Sequence, residues 1–336
     1  MNYKIITNPE LINRNDWDTF ILNHPNGNIF QSSYYYYAMT KVDLYTPFFY
    51  CVIDETEQIK GILVSVVYKQ HRGLIGFLSS RSIIHGGPII LNSDTDVLEL
   101  LLAKYLAEIK SKAIFSQFRN SWIQANEKCI FEEKNIIFED HLDIIIDLTN
   151  DEEKLWKDVH SKRRNEIRRA TKEGTFFRKA ENIRDFKSAY NILLEVYERV
   201  KVPIPSFTIL KNIYKELSKD NMIQCFLAIN DDKIIGTMIA FTYNNIIYDW
   251  YAGAKKEFYK KYPNDLIPWE VFKWGKANGF NQFDFGGAGK PNQHYGVRDY
   301  KLKFGGKLVN FGRYEVIHKK QLFNIGKIGY YLFKKI

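Results

Sequence analysis

Apolar residues along this chain follow two rhythms in turn. In "NPELINRNDWDTFILNH", Leu11, Trp17, Phe20 and Ile21 recur at roughly helical spacing, with Asn8 placed to cap and Pro9 suited to the first helical position. "FFYCVIDETEQIKGILVSVVYK" changes to two apolar runs around an acidic turn, which predicts a pair of strands. "RSIIHGGPIIL" predicts a strand broken by Gly-Gly-Pro, "DTDVLELLLAKYLAEIKSKA" an amphipathic helix, and "HLDIIIDL" a strand. Thr149 or Asn150 can cap the next helix, acidic in its first turn and basic later, as the helix dipole favours. Helices follow in "ENIRDFKSAYNILLEVYERVKV" and "SFTILKNIYKELSKD". Three strands are expected in "MIQCFLAINDDKIIGTMIAFTYNNIIYDWYAGA", a helix in "NDLIPWEVFKWGKANGF" and a strand in "NQFDFGG".

The pattern repeats. "FYCVIDETEQIKGILVSVVY" and "CFLAINDDKIIGTMIAFTY" share an apolar strand, an acidic turn, an Ile-containing step and a glycine, so that Gly61 matches Gly236. Two copies of one α/β unit predict duplicated domains with a boundary near residue 150. The length of 336 residues allows this, and a hydrophobic content of 45% supplies the cores.

Charge and cysteine content narrow the setting. A formal net charge of +9 favours polyanionic partners: nucleic acid, nucleotide phosphates or an anionic membrane surface. The 3 cysteines are far apart and form no metal-ligand spacing, which suits a reducing compartment. The opening residues lack the apolar core of a signal peptide, and no apolar run is long enough to span a bilayer. The expectation is a soluble, cytoplasmic protein without a metal. The end of the chain qualifies this: "LFNIGKIGYYLFKKI" can set Leu322, Phe323, Ile325, Ile328, Tyr331 and Leu332 on one face among lysines, a basic amphipathic tail suited to peripheral contact with the inner face of a membrane.

Several segments offer chemistry. "HSKRRNEIRRATKEG" is the densest cationic run, and Arg164 and Arg168, four apart, share a helix face that can meet phosphates. "HGGPII" and "DFGGAGKPNQHYG" are glycine-rich turns that allow close backbone approach to a ligand. Neither is a phosphate-binding loop or a dinucleotide fingerprint. No nucleophile elbow and no HExxH pair occurs, so hydrolase, metalloenzyme and dehydrogenase readings lack support. In "GVRDYKLKFGG", lysines stand among glycines after an apolar strand. An extended conformation puts Lys301 and Lys303 on one side and Asp299 on the other, where it is a poor base.

The ordered set of motifs resembles the FemAB-like acyltransferases, the peptidoglycan interpeptide-bridge aminoacyltransferases and their relatives of the GNAT fold. "LWKDVHSKRRNEIRRATKEG", "IIGTMIAFTYNNIIYDWYAGA", "YPNDLIPWEVFKWGKANGFNQFDFGG" and "DYKLKFGG" carry it in the second half, "FQSSYYYYAMTK" and "HGGPII" in the first. The resemblance implies an α/β (α+β) fold of two tandem GNAT-like domains, with mixed, mostly antiparallel sheets flanked by helices: residues 1–150, residues 151–320, and a tail at 321–336. It implies that Lys301 lies at the acceptor site and stabilises negative charge near the reacting carbonyl or a substrate phosphate, that Lys303 supports it or meets a phosphate, that Lys41 contacts a substrate phosphate, and that Tyr251 lines the acceptor groove. One departure is that "GGPIILNSD" has no Asp close behind its Gly-Pro turn, only Asp94 farther on, which puts a carboxylate base from that loop in doubt.

Two functions follow. One is transfer of an amino acid from aminoacyl-tRNA to an amine of a peptidoglycan precursor, lipid-linked or UDP-linked. The other is N-acyl transfer from acyl-CoA to a sugar nucleotide or polysaccharide precursor. In both the donor is a co-substrate and there is no resident cofactor. The positive charge favours the first. So does "GAKKEFYKKYPNDLI", which has lysines where acyl-CoA enzymes of this fold carry a glycine-rich loop.

Overall fold

In the computed structural model, which describes residues 2–122 and 127–335 (side chains at 2–73, 76–122 and 127–327), the two repeated segments fold alike. The first unit contains β1 (Lys4–Ile6), β2 (Tyr45–Ile53), β3 (Ile59–Tyr68), β4 (Arg81–His85), β5 (Ile89–Ile90), β6 (Phe115–Arg119) and β7 (Ile137–Glu139), with α1 (Arg14–Asn23), α2 (Ser33–Thr40), α3 (Gly73–Leu78), α4 (Thr95–Ile109) and α5 (Lys128–Glu133). The second contains β8 (Leu142–Asp147), β9 (Phe176–Lys179), β10 (Ile223–Asn230), β11 (Lys233–Tyr243), β12 (Ile246–Ala254), β13 (Gln282–Gly287) and β14 (Lys307–Asn310), with α6 (Glu152–Asp158), α7 (Ser161–Lys172), α8 (Ile183–Arg199), α9 (Phe207–Leu217), α10 (Pro263–Ala277) and α11 (Gly296–Leu302).

The matched glycines have matched jobs. Gly61 pairs with Val52 across the β2–β3 hairpin, and Gly236 with Ala228 across β10–β11; a bulge follows each pair. A Cβ on Gly61 would lie 2.6 Å from Val97 of α4, and one on Gly236 would lie 2.8 Å from Pro263 of α10. Each glycine therefore lets the crossover helix lie directly on its hairpin. Apolar faces complete the contact: Leu98, Leu101, Leu102 and Tyr105 of α4 in the first core, and Leu266, Ile267, Val271 and Phe272 of α10 in the second.

In the first sheet the order is β1-β2-β3-β4-β6, then the strand Arg313–Ile317, then β7, with β5 paired to β3; in the second it is β14-β8-β13-β12-β11-β10-β9. In each sheet the crossover helix links one parallel pair, β4 with β6 and β12 with β13. Strand pairing corrects the expected boundaries. The first unit is Met1–Asp140 with Phe311–Ile336, and the second is His141–Asn310. β8, expected in the first domain, bonds to β13 and β14. Arg313–Ile317, expected in the second, bonds to β6 and β7.

Local capping corrects two of the expected helices. Asn8 caps only a 3-10 turn over Pro9–Leu11, and Asn13 starts α1 afresh by accepting from the Asn15 and Asp16 amides. The acidic-then-basic stretch after Leu148 makes two helices, with Asp151 capping α6 and His160 capping α7. The segment Gly296–Leu302, expected as extended, is helical. The terminal helix Lys320–Lys335 sets the Phe323 ring 5.1 Å from that of Phe115. Ile325 is exposed. The side chains of Ile328, Tyr331 and Leu332, expected on the apolar face of this helix, lie outside the described residues. Among the described residues no helix is long and apolar enough to cross a membrane.

Candidate active site

The second sheet opens in the middle. β12 and β13 run in parallel only from Ile246 to Tyr248 against Gln282 to Asp284. Beyond that level both strands break register with their other neighbours. On β12, Ala240 pairs with Asp249 and Ile239 with Tyr251, which leaves Trp250 as a bulge. On β13, the register with β8 shifts between Asp284 and Gly287. Two bulges at one level turn the strands apart, and Gly286 makes its bend with φ at +68°.

The bend presents backbone carbonyls to α11, and the charged residues of "GVRDYKLKFGG" supply donors. Lys301 Nζ donates to the carbonyls of Phe285 at 2.6 Å, Gly286 at 3.2 Å and Gly287 at 3.0 Å. The three protons of an ammonium thus meet three acceptors. Arg298 holds the preceding loop through the carbonyls of Ala288 at 3.4 Å, Lys290 at 2.8 Å and Gln293 at 2.5 Å. Buried backbone acceptors need such partners, which is why cations sit among these glycines. Because the segment is helical, Lys301 and Lys303 do not share a side. Lys303 is the C-cap residue of α11, and its carbonyl accepts from the His160 amide at 2.9 Å.

Carboxyl groups surround the opening. Asp284 is buried; its carboxyl accepts from the Gly286 amide at 2.7 Å and bonds to Asp143, and burial beside that second carboxyl pushes it well above the usual carboxylate range. Asp249, half-buried at the bulge of β12, is pushed up to about 7 by burial, and the Lys301 charge pulls against that rise. Its carboxyl takes no hydrogen bond from the described residues. Aromatic groups close in: Tyr197 of α8 and Tyr300 of α11 both lie within the electrostatic reach of Asp249, and burial raises both phenols. The Tyr197 ring stands 5.5 Å from that of Tyr251, edge to face, and the Tyr251 ring lies 4.7 Å from that of Trp250, tilted against it.

The start of α10 is filled. Pro263 at its first position has no N–H to offer, and the amides of Asp265 and Leu266 both donate to the Tyr262 carbonyl at 3.1 Å. Asp265, itself buried, is ion-paired with Arg163 of α7, whose guanidinium also meets Glu166 at 3.1 Å. Burial pushes the Asp265 carboxyl up while Arg163 pulls it down. Arg163 lies over the Tyr300 ring at 4.7 Å, and the Tyr300 hydroxyl donates to the Asn264 carbonyl at 2.5 Å.

The expected cations divide. Arg164 serves the fold: its guanidinium donates to the carbonyls of Trp156, Lys157 and Val159 at 3.2, 2.9 and 2.9 Å and so caps the end of α6. Arg168 is exposed over the Trp156 ring at 5.2 Å. With it stand Arg169 over Tyr262 at 4.9 Å, Arg199 over Tyr259 at 5.7 Å, and the lysines of the 3-10 turn Lys256–Lys261. Lys261 bridges back to Glu173 at 3.2 Å, so the end of α7 and this turn form one basic, aromatic face. Lys41 is exposed at the C-cap of α2 in the first unit. Asp94 caps α4 and accepts from the Tyr3 hydroxyl at 2.6 Å. Among the described residues no cluster of His, Cys, Asp or Glu could hold a metal ion.

A strand pair opened by bulges, followed by a crossover helix and backed by a hairpin, defines a class. Residues 158–302 match the family model of the acetyltransferase (GNAT) domain. Residues 158–302 thus form a GNAT domain, and the chain has the fold of two such units in tandem. The fold is similar to that of the crystal structure of FemX, with a TM-score of 0.75 and 15% identity over 97% of this chain and 99% of that one. A tandem GNAT protein from the clavulanic acid biosynthesis pathway superposes with a TM-score of 0.62 and 7% identity over 94% of this chain and 99% of that one. The C-terminal domain of a putative lysylphosphatidylglycerol synthetase from Agrobacterium fabrum gives a TM-score of 0.53 and 12% identity, covering 78% and 84%. No curated protein matches the sequence.

Sequence reasoning missed Asp249, Asp284, Arg163 and Asp265. Asp249 carried one signal, a carboxylate inside an otherwise apolar and aromatic strand.

Proposed function

We propose that the protein transfers an amino acid from aminoacyl-tRNA to an amine on a peptidoglycan precursor. The observation that carries this reading is the filled start of α10. A helix start with free amides is where a pyrophosphate is usually held. Here Pro263 removes one amide, the Asp265 amide is already bonded to the Tyr262 carbonyl, and the Asp265 carboxylate, paired with Arg163, brings negative charge to the first turn where an anion would bind. A CoA pyrophosphate would meet a carboxylate instead of donors. Beside this closed position, the face of Arg168, Arg169, Lys260, Tyr259 and Tyr262 has the mixture of cations and rings that suits an RNA strand.

The chain's residues would divide the work as follows. Lys301 keeps a positive charge fixed where the ester carbonyl develops its oxyanion. Its three bonds to backbone hold it still, so it acts through its field or by exchanging one carbonyl for the oxyanion. Tyr251 and Tyr197 wall the opening and exclude water. Lys41 is retained as a contact for a substrate phosphate, and Lys303 as support for the Lys301 helix.

A donor comparison tests the reading. The protein is incubated with a UDP-linked muropeptide and either aminoacyl-tRNA or acetyl-CoA, and the product is identified by mass. Transfer from aminoacyl-tRNA alone is expected. Transfer from acetyl-CoA alone would replace this reading with the acyl-CoA one.

A further inference from the structure

A reaction of this class must take a proton from the attacking amine, and five carboxyls stand around the opening or on the helix beside it. Four are committed. Asp284 and Asp143 are bonded to each other, Asp284 also to the Gly286 amide. Asp265 is held by Arg163, and Asp299 of α11 lies 3.4 Å from His294 on the exposed side. Asp249 differs in three ways. It sits where β12 bulges away from β13, its carboxyl takes no hydrogen bond from the described residues, and the facing cation, Lys301, is occupied by three carbonyls. A half-buried carboxyl without donors is costly to the fold, so its retention at an opening calls for another reason.

We infer that Asp249 is the catalytic base of the second unit, the group that accepts the proton of the attacking amine. This rests on the transfer reaction proposed above. As the amine nitrogen forms its bond to the ester carbonyl, one N–H proton passes to the Asp249 carboxylate. As the carbon–oxygen bond breaks, Asp249 returns that proton to the leaving ribose oxygen, and the carboxylate is regenerated. The groups around it suit the task. Lys301 and Tyr300 face it from α11, Tyr197 from α8, with Tyr251 on its own strand and the Asp284–Asp143 pair beyond Lys301. Among the described residues Lys301 is the charged group acting on it, and it lowers the cost of ionising a carboxyl that burial has raised to about 7. A base poised there is half ionised near neutral pH, where general bases work best.

The test is the pH–rate profile of Asp249→Asn beside the wild type, recorded with whichever donor the wild type uses, aminoacyl-tRNA or acetyl-CoA. Both donors require loss of the amine proton, so an error about the donor leaves this test intact. The wild type should lose kcat/KM on the acid side with a midpoint near 7. Asp249→Asn should lose turnover by about 10²–10⁴-fold and that acid limb with it, while Asp249→Glu recovers part of the rate. A carbon-13 titration of labelled aspartate carboxyls, run without any donor, should show one group titrating near 7 that Asp249→Asn removes. A variant that keeps the rate and the limb, or a wild type with no such carboxyl, would overturn the inference.

Discussion

The two units share a hairpin, a glycine and a crossover helix, yet their parallel strand pairs end differently. In the first unit β4 and β6 stay in register over the whole of Arg81–His85 against Phe115–Arg119, and the Gly86 amide still bonds to the Arg119 carbonyl at 2.8 Å beyond the strand. In the second, β12 and β13 part after Tyr248 and Asp284, and a bulge on each strand keeps them apart. The groups at these ends differ as well. His85 is neutralised by burial and by Arg119, Arg313 and Arg81, whereas the second opening gathers carboxyls around one lysine. Duplication thus supplied two frames. Under the proposed function, the interrupted ladder is where a reacting carbonyl would enter.

The largest expected effect comes from removing the cation of the open pair. Lys301→Ala should cut turnover by about 10²-fold or more, as loss of one oxyanion-stabilising group does. It should also move the acid limb of the rate profile to higher pH, because the positive charge that favours the Asp249 carboxylate is gone. A variant with full turnover and an unmoved limb would remove Lys301 from the chemistry.

The matched glycines sharpen the comparison. Gly61→Ala and Gly236→Ala each force a Cβ into a crossover helix, at 2.6 and 2.8 Å from its nearest atom, and should destabilise by about 1–3 kcal/mol in denaturant titrations. Only Gly236→Ala should also slow transfer, since α10 carries the Asp265 and Asn264 contacts that position Arg163 and Tyr300. Equal losses of rate in both variants would erase the distinction between the units.

Asp249 also predicts a stability signature. Its folded carboxyl is raised above the unfolded value of 3.8, so between pH 4 and pH 7 the folded state binds the extra proton. Its contribution is therefore present at low pH and is lost as pH rises toward the folded value. Asp249→Asn should flatten this slope and be more stable than wild type, relative to pH 5, at pH 8. Unchanged curves in thermal melts across that range would argue that Asp249 does not titrate there.

The smallest effect belongs to the basic face. Arg169→Ala with Lys260→Ala should weaken tRNA binding a few-fold and reduce its salt dependence by about two charges' worth. Arg164→Ala should instead lower stability, because that guanidinium serves the end of α6.

Much of the frame was legible in the sequence because period and punctuation report it directly. The hairpins, the crossover helices and the Gly61–Gly236 match all follow from alternating apolar runs. The unit boundary was not, because strand pairing over long separations brings Arg313–Ile317 back to β6 and leaves no local mark. The site was read in part. Lys301 was singled out through its motif, but in an extended segment, because a seven-residue helix between glycines shows no period. Arg164 was read as a phosphate ligand because spacing alone does not distinguish an exposed cation from one bonded to the preceding helix. Asp249 and Asp284 escaped because their meaning depends on two bulges that no single segment reveals.

Only the opened strand pair of the second unit is expected to receive the reacting acyl group. An aminoacyl-tRNA analogue carrying a photoreactive aminoacyl moiety in place of the labile ester tests it most directly, with the cross-linked peptides mapped by mass. The predicted result is attachment within Asp249–Gly253 and Phe285–Lys301. Attachment to the end of β4 and the Gly86-Gly87-Pro88 turn of the first unit would contradict it.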